Sequence, residues 1–316
     1  MPCFADSTRV WSLPADGTTT NFCLTCGAAK FQTFTQLRSI CEYAKTMSHS
    51  PIRNDLRPYD DAATTAIVHD FQRDGYRVIP GVLDADEVRA LRTAVDRVFA
   101  EPRWADNHNL YGPYVATRLF EVDPVFEDML TREPIISLAE SILGPDCHLV
   151  AQNVVRNAPG QAIDFWHVDD VLIFPTAPDM ARHDARLTMP VHILTVQILL
   201  TDVDGPEHGP TQFVPGSHYS GKQPNDRHTP SFEGVGPVSL FGKAGDIYLH
   251  NGQAWHRGAP NTSDRTRYLL QLAYSRRWVS QRLYPFVNYQ LPNDVVERAD
   301  ERRRRVLGLH AKGAYG

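Results

Sequence analysis

The chain has 316 residues, of which 42% are hydrophobic and 22% charged, with a net charge of −5. A core of ordinary globular size is available, so collagen-like, coiled-coil and wholly disordered chains are excluded. The acidic balance argues against nucleic acid as a partner, and the longest apolar stretch, Ile193–Leu200, is broken by Thr195 and Gln197 and falls short of the roughly 18–20 apolar residues of a membrane span.

From the start of the chain, residues 1–13 contain one basic residue, Arg9, and no apolar core, so no secretory signal is read and a cytoplasmic location is expected. Four of the five cysteines, Cys3, Cys23, Cys26 and Cys41, fall in the first 46 residues. A zinc site would want a second C-x2-C beside Cys23 and Cys26, and disulfides do not persist in the cytosol. Residues 1–46 therefore read as a poorly ordered leader or the product of an upstream start codon, since Met47-Ser48-His49-Ser50-Pro51 resembles an N-terminus.

Patterning begins after Asp61. Ala66, Ile67 and Phe71 suggest a helix ending at Gly75, followed by a short strand over Tyr76-Val78-Ile79 that Pro80-Gly81 closes. Asp84 and Glu87 have capping-box spacing, and Val88, Leu91, Val95, Val98 and Phe99 form the apolar stripe of a helix of about 16 residues. A third helix is expected at Ile135–Leu143, stopped by Gly144-Pro145. Beyond Cys147 the pattern changes to short β-type runs, His148–Arg156, His192–Val203, Val238–Gly242, Asp246–His250 and Tyr268–Ser275, separated by Gly/Pro turns. Many short strands without helices between them indicate an antiparallel sandwich or barrel. No phosphate-binding glycine loop is present. The basic run Arg302–Arg305 reads as the solvated face of a last helix.

The candidate chemistry lies in the β half. In Trp166-His167-Val168-Asp169 an imidazole and a carboxylate stand two residues apart, on one face if the segment is extended. His256, 89 residues on and flanked by glycines, would complete a set of two imidazoles and one carboxylate. Such a set leaves three positions open on an octahedral metal and suits non-haem Fe(II). The pair H-x-D alone is a weak signal, and a histidine is often a hydrogen-bonded core residue. Arg267, eleven residues after His256, opens a strand-like run. A buried arginine there would need an anion, which a dicarboxylate could supply; a surface arginine pairing with Asp264 or Asp246 is the plain alternative.

The chain resembles the phytanoyl-CoA dioxygenase family of Fe(II)- and 2-oxoglutarate-dependent oxygenases. The resemblance rests on the segments Phe71–Leu83, Trp166–Asp169, Gly209–His218 (GPTQFVPGSH), Gly245–His250 and His256–Arg267, in the family's order over about residues 65–275. It implies a double-stranded β-helix, a cupin-like jelly roll, with flanking helices. It further implies Fe(II) on His167, Asp169 and His256, and 2-oxoglutarate held through its distal carboxylate by Arg267. Gln152 matches a recurrent glutamine that meets the cosubstrate, with Arg156 or Asn153 serving nearby; Thr211 and Ser217 shape a turn or line the pocket with a hydroxyl. The implied reaction uses O2, releases succinate and CO2, and hydroxylates a small organic molecule, a secondary metabolite or a lipid-like one. Halogenating relatives carry a small residue at the carboxylate position, so Asp169 argues against halogenation.

Around this site, Asp170 would assist the ligands or face solvent, residues 171–189 would form a lid or a structural excursion packed elsewhere, and His250 would sit in the core or beside the ligands. Residues 47–316 are expected to form one catalytic domain, with a helical support over 47–145, a jelly-roll core over 146–290 and a helical tail. A jelly-roll metal protein of other chemistry and a non-catalytic binding jelly roll are the alternatives. The sequence is silent on oligomeric state.

Overall fold

A computed structural model describes residues 50–102, 114–169, 171–283 and 288–313. The leader expected over 1–46, with its cysteines, and Asp170 lie outside the described residues. Helix α1 (Asp61–Asp74) starts at Asp60, whose side chain accepts from the Ala63 N–H. It ends where Gly75 takes a φ of 82°, which a residue with a Cβ adopts only at a cost. Strand β1 (Tyr76–Ile79) follows, then helix α2 (Ala85–Ala100), opened by the expected capping box between Asp84 and Glu87. Strand β2 (Val115–Thr117), helix α3 (Pro124–Met129) and helix α4 (Ile135–Leu143) complete the N-terminal half.

The remaining strands are β3 (His148–Asn157), β4 (Ile163–His167), β5 (Ile193–Leu199), β6 (Thr211–Phe213), β7 (Val238–Leu240), β8 (Ile247–Asn251), β9 (His256–Gly258) and β10 (Arg267–Ser275). Helices α5 (Asn293–Arg298) and α6 (Glu301–Val306) close the described chain. The strands form two antiparallel sheets, a larger one in the order β1-β8-β5-β10-β3-β2 and a smaller one in the order β4-β9-β6-β7. This is the expected jelly roll with flanking helices.

Its large sheet is covered on both faces. Outward side chains such as Leu149, Val154, Val196, Ile198, Leu270 and Leu272 pack with Phe71, Leu91, Phe120, Phe126, Met129 and Leu138 of the helical layer. Inward ones, Val155, Leu199, Tyr248 and Leu269, meet Phe213 and Leu240 of the small sheet. That layer also buries an ion pair that periodicity alone does not reveal. Arg132 donates through Nε and Nη2 to the two carboxylate oxygens of Glu87, both at 2.8 Å, and through Nη2 to the Val82 carbonyl at 2.9 Å. The capping glutamate is thus also the counter-ion of an internal arginine.

The C-terminal arginines depart from expectation. They do lie on a helix, but only Arg304 faces solvent. Arg302 pairs with Glu133 and Glu140, Arg303 with Asp128, and Arg305 with Glu140 and the Cys147 carbonyl. The run is a clamp that ties α6 to α3, α4 and the start of β3, because acidic residues on those elements face it.

Candidate active site

Between the two sheets lies a cavity of about 380 Å³. The small sheet brings its two histidines together by register: His167 of β4 stands directly opposite His256 of β9, and directly opposed residues share a face. Their ring centroids are 4.2 Å apart. Asp169 follows β4, its N–H donating to the Gly252 carbonyl at 2.7 Å. Gly252 permits that approach, since a Cβ there would lie 3.3 Å from the Asp169 Cβ. One donor atom from each of His167, Asp169 and His256 lies within 4.8 Å of the others, the one such group among the described residues.

Both histidines are oriented by the same device. The Nδ1–H of His167 donates to the Phe165 carbonyl and that of His256 to the Ala254 carbonyl, each at 2.9 Å. This tautomer leaves Nε2 with its lone pair aimed into the cluster. Burial, reinforced by the neighbouring His256, lowers the imidazolium of His167 to about 4, and burial also lowers His256. Burial alone would push the Asp169 carboxyl up, but His256, His250 and His167 overcome it and hold the group well below the usual carboxylate range. At neutral pH the cluster is two neutral imidazoles and one carboxylate, the protonation state in which such donors take a metal.

Arg267 opens β10 at 5% exposure, so it is not a surface arginine. Its Nη2 donates to Thr211 Oγ1 at 2.9 Å, and that hydroxyl donates to Gln197 Oε1 at 2.9 Å. Its Nε is buried without a partner, and among the described residues neither Asp264 nor Asp246 pairs with it. Burial lowers the group to about 10, which leaves it charged at neutral pH. A desolvated guanidinium facing the same cavity as the cluster has room for an anion that the protein itself does not supply. The donor set and this unpaired cation fit an Fe(II) ion and the carboxylate of 2-oxoglutarate.

A family model described as Phytanoyl-CoA dioxygenase (PhyH) matches residues 71–269, more than half of the chain. The chain belongs to the phytanoyl-CoA dioxygenase family. It is an Fe(II)- and 2-oxoglutarate-dependent dioxygenase. An ectoine dioxygenase of Nocardia farcinica is 24% identical over 242 residues, 65% of this chain and 75% of that protein. One from Stutzerimonas stutzeri is 29% identical over 181 residues, 52% and 53% of the two chains. Among solved structures, the epimerase SnoN in complex with Fe3+, alpha ketoglutarate and nogalamycin RO matches at a TM-score of 0.53 and 25% identity over 71% of this chain and 88% of that one. HygX of Streptomyces hygroscopicus, with nickel and 2-oxoglutarate bound, matches at 0.53 and 16% identity over 74% and 96%, a likeness of fold.

Within this family member the structure corrects two of the expected cosubstrate contacts. Side chains alternate along β3, and Ala151, Asn153, Val155 and Asn157 line the cavity while Gln152 and Arg156 do not. Gln152 is fully buried toward the helices, where its Nε2 donates to the Phe126 carbonyl at 2.8 Å. Arg156 reaches Asp96 and lies over the rings of Phe99 and Tyr268. Asn153 and Asn157 are the polar residues of this strand that line the cavity. Thr211 takes the second of its two expected places, lining the cavity, where it is the contact of Arg267. Ser217 is structural, its hydroxyl accepting the Trp255 N–H at 2.8 Å just before His256.

Of the two expectations for residues 171–189, the described residues favour a segment packed elsewhere over a lid. No residue of the described 171–189 segment lines the cavity. Thr176 and His183 bond to the backbone of 219–221, and Arg182 pairs with Glu233, so the segment packs along the outer flank. Residues that sequence reasoning passed over are Thr195 and Gln197 of β5 and Gln271 of β10. Polar side chains inside otherwise apolar buried strands were the available signal.

Proposed function

We propose that this dioxygenase hydroxylates a small polar organic molecule, with His167, Asp169 and His256 holding Fe(II) and Arg267 anchoring the distal carboxylate of 2-oxoglutarate. The observation that carries the reading is Arg267, a buried cation without a counter-ion in the wall of the cavity that holds the three metal donors. Iron and 2-oxoglutarate, when bound, supply the oxidising chemistry: O2 decarboxylates the cosubstrate to succinate and CO2 and delivers one oxygen atom to the substrate. The protein orients the reactants, and the buried side chains of Val155 and Leu269 keep water from that part of the cavity wall. Asp169 fills the third donor position, which favours hydroxylation over halogenation.

A polar substrate is favoured by a row of amides. Gln271 stands opposite Asn153 on one side and Gln197 on the other, and all three line the cavity. A lipid-like substrate would desolvate these amides without hydrogen-bonding them, at about 1–3 kcal/mol each. The relatives named ectoine dioxygenase support a small-molecule substrate. No helix among the described residues is long and apolar enough to cross a membrane. A cytoplasmic location belongs to the same proposal, supported by the buried free thiol of Cys147, which suits a reducing compartment.

Succinate formation from 2-oxoglutarate, measured with Fe(II) and a panel of polar metabolites, tests the reading. Asp169→Ala is expected to lose more than about 100-fold, since even residues that merely orient metal ligands are worth 10–100-fold. No turnover with any substrate, together with no calorimetric binding of 2-oxoglutarate, would overturn it.

A further inference from the structure

The two oxygens of Asp169 have different surroundings. Oδ1 faces the donor cluster, 3.7 Å from His256 Nε2. Oδ2 turns the other way, toward the large sheet, where the Nε2–H of His250 donates to it at 3.2 Å and the hydroxyl of Thr195 at 3.5 Å. His250 and Thr195 are directly opposed residues of β8 and β5, neighbouring strands near the middle of the large sheet. Asp169, by contrast, follows a strand of the small sheet. The carboxylate is therefore held from the opposite wall of the cavity.

His250 has no other polar engagement among the described residues. It is 1% exposed, and its Nδ1 is buried without a partner. Its ring packs against Phe213 at 5.2 Å between centroids and against His256 at 4.8 Å. Burying an imidazole with one nitrogen unsatisfied is costly unless the other nitrogen makes a contact of consequence. That contact is Asp169 Oδ2.

We infer that His250, assisted by Thr195, is a positioning residue that holds Asp169 by Oδ2, so that Oδ1 alone is presented to the metal. This rests on the reading of Asp169 as a metal ligand. A carboxylate free to turn would offer both oxygens and close one of the three positions that the cosubstrate and O2 require. His250 is thereby excluded as a fourth donor, since its Nε2 proton is committed to the carboxylate. The large sheet thus fixes the number of positions left open, although both histidines of the cluster stand on strands of the small sheet and Asp169 follows one of them.

Calorimetric titration of the metal-free protein with Co(II), and the visible absorption of the Co(II) protein, which reports coordination number, test this without turnover. His250→Phe should weaken Co(II) binding about 10–100-fold and alter the visible spectrum, as expected for loss of a partner that orients a ligand. His250→Gln, whose amide nitrogen reaches the same place, should restore both to within about threefold, and Thr195→Val should cost less than His250→Phe. A folded His250→Phe protein with wild-type affinity and spectrum would overturn the inference, as would a folded His250→Gln protein as weak as His250→Phe. Should His250→Phe fail to fold, Thr195→Val decides: a several-fold loss supports the inference and unchanged binding and spectrum overturn it. Asp169→Ala separates the two levels, because wild-type Co(II) binding there would overturn the ligand assignment itself.

Discussion

The two sheets divide the work unequally. Strands β3, β5 and β10 of the large sheet run for 10, 7 and 9 residues, nearly all buried, and are packed on one face by the helices. The small sheet is made of strands of three to five residues, with a satellite cluster of Trp166, Phe232 and Trp255. Yet the small sheet carries both histidines of the candidate site, each steadied by a carbonyl of its own chain two residues upstream. The large sheet contributes Arg267, the amide row and the partners of Asp169. Stability and chemistry thus sit on opposite faces of the large sheet, and changes on its two faces should separate.

The largest expected effect is on the helical side. Arg132→Met leaves the Glu87 carboxylate buried without its partner, which should cost about 3–5 kcal/mol of stability in denaturant titrations. Metal affinity of the folded variant should stay at the wild-type value; a parallel loss would break the separation of the two faces. On the cavity side, Arg267→Met should raise the KM for 2-oxoglutarate about 10–100-fold, since hydrogen bonds to a charged group are worth about 1.5–3 kcal/mol. The melting midpoint of the metal-free protein should hold or rise, because an unpaired buried cation is removed. An unchanged KM would contradict the role assigned to Arg267.

A third effect sits where the small sheet's turn meets helix α1. His218 donates through Nε2 to the Gln72 carbonyl at 3.0 Å, and burial lowers its imidazolium to about 4. In the unfolded chain the same group titrates near 6.5. Between those values the unfolded state binds a proton that the folded state does not, so stability is fully present above about pH 6.5 and is lost as the pH falls toward 4. At pH 5 the loss from this residue should be about 2 kcal/mol. Denaturant midpoints measured from pH 7 to 5 on wild type and His218→Gln check it: the variant should show the shallower slope, and identical slopes would refute the assignment.

Much of this is legible in the amino-acid sequence. The helix ends at Gly75 and Gly144 and the capping box at Asp84 follow from local chemistry, and the fold class followed from the density of short strands and turns. The donor cluster and Arg267 were legible because their spacing accompanies a family pattern. What the sequence hid depends on which face of a strand looks inward. Strand β3, His148–Asn157, is covered on both sides, so its alternation is blurred and Gln152 and Asn153 are equally plausible candidates. Only the helical layer, with Phe126 offering its carbonyl to Gln152, assigns them. Strands β2, β6 and β9 have three residues each and carry too little periodicity to be read. The clamp of Arg302, Arg303 and Arg305 depends on acidic partners more than 150 residues away, which no local pattern reports.

The central claim is that one cavity between the sheets holds the metal on His167, Asp169 and His256 and the cosubstrate on Arg267. A crystal structure of the protein grown without oxygen in the presence of Fe(II) and 2-oxoglutarate tests it most directly. Iron is expected on Nε2 of both histidines and Oδ1 of Asp169, with the distal carboxylate of 2-oxoglutarate on Arg267. Iron on any other set of side chains, or a cosubstrate carboxylate that leaves Arg267 unpaired, would contradict it.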